Sequence, residues 1–386
     1  MGALLVALAA AYLVFHLLSV ALFLRRLGQG QPERSLLGRP RLTLLRPVCG
    51  RDAHDAETLA SSLSQDYPDY EVVFCVERAD DPVLPLIEAL LAQDARVPAR
   101  LLVGRHSVTG NPKLDNLWKG WQDIDRDWVC VTDSNLLLPP DYLATVVDAW
   151  GPDTGVVSAP PAGIRPEGWA ARVECAFLNS NQARLQCLAD SAGLGFAQGK
   201  TLFFNKPLLD AQGGLAALGR TLAEDVAATK VTRALGARVS LAPLPFPQPI
   251  GRRRLSQVLG RQLRWSRVRR DGFPLLFALE PLNGALLPVA AAAAATVMAG
   301  ATPLLAVAYL AVWYVAEAVL MRRAGWPSGW RDVAVLPLRD LLLPALWIAS
   351  FRHRGFVWRG NAMGDASPAP SRTSSGAPSG QPVAAE

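Results

Sequence analysis

Asp133 closes a short apolar, β-branched run, Val129–Cys130–Val131–Thr132, and two small polar residues, Ser134 and Asn135, follow it. Such a run reads as a buried strand that delivers a carboxylate to its C-terminal end. Ligands of open α/β sheets bind at that edge. A carboxylate there, beside residues that let a ligand approach, suits a divalent cation carrying a diphosphate. The same seven residues also read as a strand followed by an Asp–Ser turn.

Further reactive side chains come in an order that suits phosphate chemistry. Asp80 and Asp81 come after a second apolar run, Glu71–Val76, which ends in Glu77-Arg78. Lys113 follows Asn111-Pro112 and opens a helix, where it can meet a phosphate as a point charge or stand solvated. Glu224 and Asp225 open a later helix, and the helix dipole favours acids there whatever their function. Arg261-Gln262-Leu263-Arg264-Trp265 lies in a basic stretch. Trp265 can pack under a sugar or sit at a membrane interface.

A nucleotide-sugar transferase needs this set. One acid holds the uracil or ribose. A second coordinates a metal on the diphosphate. A third takes the proton from the attacking hydroxyl, and cations neutralise the charge that develops on the released diphosphate. Glu224 and Asp225 compete for the proton-accepting role.

The elements that must position these groups are read from the hydrophobic pattern. Of 386 residues, 51% are hydrophobic and 19% charged, which predicts a globular domain joined to membrane segments. Ala3–Leu24 carries no charge, is long enough to span a bilayer as a helix, and reads as an uncleaved anchor, residues 1–26. Arg25 and Arg26 favour a cytosolic position for the domain that comes after the anchor. Residues 41–250 alternate strand and helix, which predicts a mostly parallel sheet with helices on both faces. Trp169–Leu188 is expected to be one long helix.

Eight arginines between Arg252 and Arg270 mix with apolar residues and predict an interfacial basic helix over 251–275, its arginines turned to phosphates or anionic headgroups. Residues 282–321 predict a transmembrane hairpin turning at Gly300–Pro303. Residues 333–351 predict a third apolar segment that spans or re-enters, and 364–386 a disordered tail. Five cysteines without CxxC spacing predict buried thiols in a reducing compartment. Four histidines without metal-ligand spacing argue against a zinc or Ser-His-Asp hydrolase. Gly195–Thr201 has three residues between its glycines where a P-loop needs four, so it is expected to be a loop near the acceptor.

The order of these motifs resembles the inverting GT-A glycosyltransferases, most closely the ceramide glucosyltransferases, to which hopanoid-lipid glycosyltransferases are related. The resemblance rests on Gln65–Val72, Asp80-Asp81-Pro82, Gly110–Lys113, Asn116-Leu117, Asp133-Ser134, Gly213-Gly214-Leu215, Ala223-Glu224-Asp225 and Arg261-x-x-Arg264-Trp265, and it covers roughly residues 1–360. It implies a Rossmann-like α/β nucleotide-diphospho-sugar transferase (GT-A) fold with N- and C-terminal transmembrane helices. It implies a hexosyltransferase acting on a UDP-sugar, with a ceramide-like acceptor. By resemblance, Asp81, Asp133 and Asp225 take the family's three aspartate positions, and Arg261, Arg264 and Trp265 its (Q/R)xxRW motif.

Glu77, Lys113, Arg261, Arg264 and Trp265 join Asp81 and Asp133 as expected donor contacts. Mg2+ or Mn2+ is expected on Asp133 and Asn135. Asn135 stands where a full DxD motif has Asp, offering an amide oxygen with less charge. Arg261, where processive synthases carry Gln, favours transfer of a single sugar. Other readings are a hopanoid polyol or glycerolipid acceptor, an N-acetylhexosamine donor, or a non-catalytic lipid- or nucleotide-binding membrane protein. Expected partners are the bilayer, the UDP-sugar and the lipid, with no nucleic acid. The Ala/Arg/Gly/Pro-heavy composition points to a bacterial inner membrane.

Overall fold

The structure is a computed structural model that describes residues 1–29, 35–93, 96–221, 223–352, 356–358 and 361–363. The tail expected at 364–386 lies outside the described residues. At the centre is a seven-stranded sheet. Its strands are β1 (Leu42–Val48), β2 (Tyr70–Val76), β3 (Ala99–Val103), β4 (Trp128–Thr132), β5 (Thr154–Ser158), β7 (Thr201–Asn205) and β8 (Arg238–Leu241), in the order β3-β2-β1-β4-β7-β5-β8. Two further strands, β6 (Pro161–Glu167) and β9 (Phe246–Arg252), pair with each other in parallel. The first four strands of the sheet are parallel, and β7 runs antiparallel to both β4 and β5.

Residue alternation decides which face each side chain joins. Leu44, Val72 and Phe74 pack with Ile87, Tyr142 and Val146 on one face. Leu45, Val73 and Cys75 pack with Leu114, Leu117, Trp121 and Ala227 on the other. Helices cover both faces, so the strands are apolar almost throughout. The helix Pro112–Asp123 lies so close to the sheet that a Cβ at Gly120 would sit 2.6 Å from Leu45 Cδ1 and 2.8 Å from Cys75 Sγ.

The chain after Asp225 reveals less of itself in its pattern. Strand β8 has only four residues and β9 carries two prolines, so neither gives a long alternating run. The long helix expected over 169–188 is present as an unbroken helical run from Gly168 to Ser191, with a π-type stretch, Phe177–Ala183, in its middle. Residues 282–321 form two helices, Leu286–Met298 and Leu304–Arg323. The first has only 13 residues, short for a full crossing. Among the described residues, three helical stretches are long and apolar enough to cross a membrane: Gly2–Gly28, Leu304–Arg323 and Trp330–Ser350.

These apolar helices are bound to the sheet domain by buried polar contacts. Arg26 bonds Asp190 at 2.7 Å and the carbonyls of Leu241, Ala242 and Pro243. Arg339 makes a fork of two bonds to Glu317, at 2.8 and 2.9 Å, and a third to Ser180 Oγ at 2.7 Å. Arg184 bonds Ser19 and the His16 ring on the N-terminal helix. Charges this deep persist only when paired.

One buried cation shapes the loop after β4. Arg46, fully buried at the end of β1, donates to Asp133 O at 2.8 Å and Leu136 O at 3.1 Å, and to Thr58 O and Ser62 Oγ. Burial pulls its guanidinium down to about 10. Arg46→Met leaves four acceptors without their donor. We expect its apparent thermal midpoint to fall by at least about 6 °C in a fluorescence unfolding scan.

Candidate active site

The carboxyl ends of β1, β2 and β4 share one edge of the sheet, and the candidate groups gather there. Asp133 follows β4 directly. Because Thr132 pairs with Thr201 in the antiparallel register, the next pair across the ladder is Asp133 and Lys200, and Asp133 N–H donates to Lys200 O at 3.1 Å. The side chains meet as well. Lys200 Nζ lies 3.0 Å from Asp133 Oδ2 and 2.9 Å from Asn135 Oδ1.

Lys113 approaches from the other side. Asn111 caps its helix, its side chain accepting from the Lys113 and Leu114 amides, and Pro112 takes the first turn. Asn116, one turn on, donates to Cys75 O at 2.8 Å and fixes the helix against the end of β2. Lys113 Nζ then reaches Asp133 Oδ1, Glu224 Oε1 and Gly199 O, each at 2.7 Å. Gly199 packs close to Glu224: a Cβ there would stand 2.6 Å from Glu224 Oε1 and displace that carboxylate. Its N–H donates to Asp225 Oδ2 at 3.2 Å. One loop thus links Lys113, Asp133 and Asp225.

The charges act on one another. Burial opposes ionisation of Asp133, but Lys113 and Lys200 together hold its carboxyl well below the usual range. Burial would lower Lys113, yet Asp133 and Glu224 hold it above the ordinary lysine value. For Lys200 burial prevails over Asp133, and its ammonium is pulled down. Asp225 goes the other way. Burial and the Glu224 charge push it up to about 6, against the amide bonds from Val226 and Gly199.

The other expected residues have partners of their own. Glu77 lies past β2 and pairs with Arg105 at 2.9 Å. Asp81 is buried and accepts from the Gly50 amide at 2.8 Å and the Val83 amide at 3.0 Å, which braces the loop after β1. Arg261, on the helix Leu255–Gly272, pairs with the fully buried Glu174. Its charge also lowers Lys200. Arg264 and Trp265 share that helix, and Trp265 packs against Ala171, Cys175, Leu178 and Ile250. Two more arginines expected to face phosphates or lipid pair with acids instead: Arg253 with Asp52 and Arg269 with Glu280.

Lys200 and Gly199 are the residues that sequence reasoning missed. They lie in the loop expected near the acceptor, and only the β4–β7 register brings them to Asp133.

Two oxygens, from Asp133 and Asn135, converge on one cationic atom, the Lys200 ammonium. That donor pair fits a hard divalent ion taking its other ligands from phosphates and water. Among the described residues no group of three or more His, Cys, Asp or Glu could hold a metal unaided.

The sequence profile of glycosyl transferase family 21 matches residues 2–366. The chain belongs to glycosyl transferase family 21. Ceramide glucosyltransferase 1 of Caenorhabditis elegans is 25% identical over 256 residues, 66% of this family 21 chain and 54% of that protein. Ceramide glucosyltransferase of Komagataella phaffii is 38% identical over 112 residues, 28% of this chain and 22% of that protein. The chain thus spans about half of the worm relative and less of the yeast one. The solved mannosyltransferase PcManGT from Pyrobaculum calidifontis, in complex with GDP-Man and Mn2+, is 22% identical and covers 88% of this chain and 98% of its own, with a TM-score of 0.52. That likeness shows the fold, GT-A, in this family 21 member.

Lys113→Met strips Asp133 and Glu224 of a shared partner. Asp133 is depressed in the folded state, so its contribution is full above the unfolded carboxylate value and fades below it. The apparent thermal midpoint should fall by about 5 °C at pH 7. The gap to the unaltered protein should narrow once the pH drops below about 4. Thermal scans at several pH values check both.

Proposed function

We propose that the protein is a membrane-bound inverting glycosyltransferase. In this reading it moves a hexose, glucose, from a UDP-sugar to the hydroxyl of a ceramide-like lipid and yields a β-glycolipid. The observation that carries the proposal is the network Asp225–Gly199–Lys113–Asp133 at the carboxyl edge of the sheet. It joins a carboxyl suited to proton transfer to a cation-rich place suited to a diphosphate. The curated relatives named ceramide glucosyltransferase support the donor and acceptor classes.

The reaction is then built from the residues. Asp225 accepts the proton of the lipid hydroxyl, and its value of about 6 leaves it ionised at neutral pH yet basic enough to serve. The hydroxyl oxygen bonds to the anomeric carbon as the bond to the UDP oxygen breaks on the opposite side, which inverts the configuration. Negative charge passes to the diphosphate, where Lys113 neutralises it. Asp133 and Asn135 would hold Mg2+ or Mn2+, which supplies a Lewis acid to the same oxygens when bound. Glu77 and Asp81, beyond β2, serve the nucleoside side. Arg261, Arg264 and Trp265 serve the diphosphate and sugar from the basic helix.

The apolar helices support a membrane site. In our reading the catalytic domain faces the cytosol of a bacterial inner membrane. The helix Leu255–Gly272 lies at its surface, so the lipid presents its headgroup without leaving the bilayer.

Asp225→Asn should lower UDP release at least about a hundredfold while UDP affinity stays within about twofold. Undiminished transfer in that variant would remove Asp225 as the base. In the unaltered protein kcat/KM should rise about tenfold per pH unit up to about pH 6 and then level off. Mass spectrometry of lipids from cells with and without the gene should reveal a hexosylated lipid and name its acceptor.

A further inference from the structure

Two lysines contact Asp133, and they are not equivalent. Lys113 has all three ammonium hydrogens engaged, by Asp133, Glu224 and Gly199 O, and its side chain is only 8% exposed. It is fixed. Lys200 holds Asp133 Oδ2 and Asn135 Oδ1, which leaves one of its three donors for another acceptor. Its ammonium lies where the two oxygens converge, the same point a divalent ion on those ligands would need. Before the donor arrives, the site already holds two ammonium groups, Lys113 and Lys200, tied to the carboxylates of Asp133 and Glu224 with Asp225 beside them. A divalent ion arriving alone would add two charges beside two ammonium groups. Arriving with a diphosphate, it brings compensating anions, and those anions offer Lys200 new acceptors.

We propose that Lys200 is a donor-binding residue that serves as the resident cation of the Asp133–Asn135 site. It holds the loop after β4 in shape before the donor binds. It then turns onto the diphosphate as the metal–nucleotide takes its place. The inference rests on the nucleotide-sugar reading above. Its consequence is that metal and nucleotide bind together, each weakly without the other.

The test uses full-length purified protein, Mn2+ followed by the electron paramagnetic resonance of the free ion, and UDP followed by calorimetry. In the unaltered protein Mn2+ should bind at least about tenfold more tightly with UDP present than without. In Lys200→Met, Mn2+ alone should bind at least about tenfold more tightly than in the unaltered protein, and metal-free UDP at least about fivefold more weakly. Lys200→Arg, which keeps the charge, should bind Mn2+ alone as weakly as the unaltered protein. Mn2+ binding in the unaltered protein that ignores UDP overturns the inference, and this result stands even where a variant fails to fold. Lys200→Met binding Mn2+ or UDP as the unaltered protein does also overturns it. No UDP binding by the unaltered protein at all would instead remove the nucleotide-sugar reading, and this inference with it.

Discussion

The antiparallel pairing of β7 with β4 is the constraint on which the site depends. β7 is the one strand of the sheet that runs against its neighbours on both sides, and this reversal brings the start of β7 to the end of β4. Two residues far apart in sequence, Asp133 and Lys200, become cross-strand neighbours by register alone. The residue before Lys200 then spans the gap to Asp225 with its backbone, and a Cβ there would push on the Glu224 carboxylate that holds Lys113. Tyr142 secures the pairing from one face, its hydroxyl 2.6 Å from Thr132 Oγ1 on β4 and 3.0 Å from Thr201 Oγ1 on β7.

Within that frame, opposite environments divide the acids. Asp133 has two ammonium groups and stays ionised at any working pH. Asp225 faces Glu224 and two amides, and its proton affinity rises into the range where it can exchange protons. Two carboxyls at one edge of the sheet thereby differ in proton affinity, which in the proposed reaction suits one to an electrostatic task and the other to acid–base work. Glu224, the competitor for the base on sequence grounds, accepts from Lys113 at 2.7 Å and Asn111 Nδ2 at 3.4 Å. Its role is to hold Lys113 and to raise Asp225.

The membrane side depends on a different kind of contact. Lipid-facing helices gain little from hydrophobic association with one another, so their docking needs polar links or close packing. Arg339 with Glu317, and Arg184 with Ser19 and His16, provide such links around the π-type stretch Phe177–Ala183. The same helical segment carries Glu174, the partner of Arg261. The basic motif and the apolar helices therefore share one structural neighbour, which itself packs on β6 and β9. Some arginines that look surface-directed in the sequence pair with acids from another element, Arg261 with Glu174, Arg253 with Asp52 and Arg269 with Glu280.

The sequence determined the local facts. Apolar, β-branched runs ending in turn residues fix strands β1 to β4 and the helices between them, since that alternation and those breaks are written in adjacent residues. The same local signals pick out Asp133, Asp225 and Lys113 as groups able to do chemistry, and the apolar helices as fit for a membrane. The tertiary structure decided what lies across from what. That Lys200 faces Asp133, that Gly199 links Lys113 to Asp225, that Asp81 braces a loop and Arg261 meets Glu174 are all contacts between distant segments. No local pattern encodes them, because strand register and helix docking are set by burying two faces of a sheet at once.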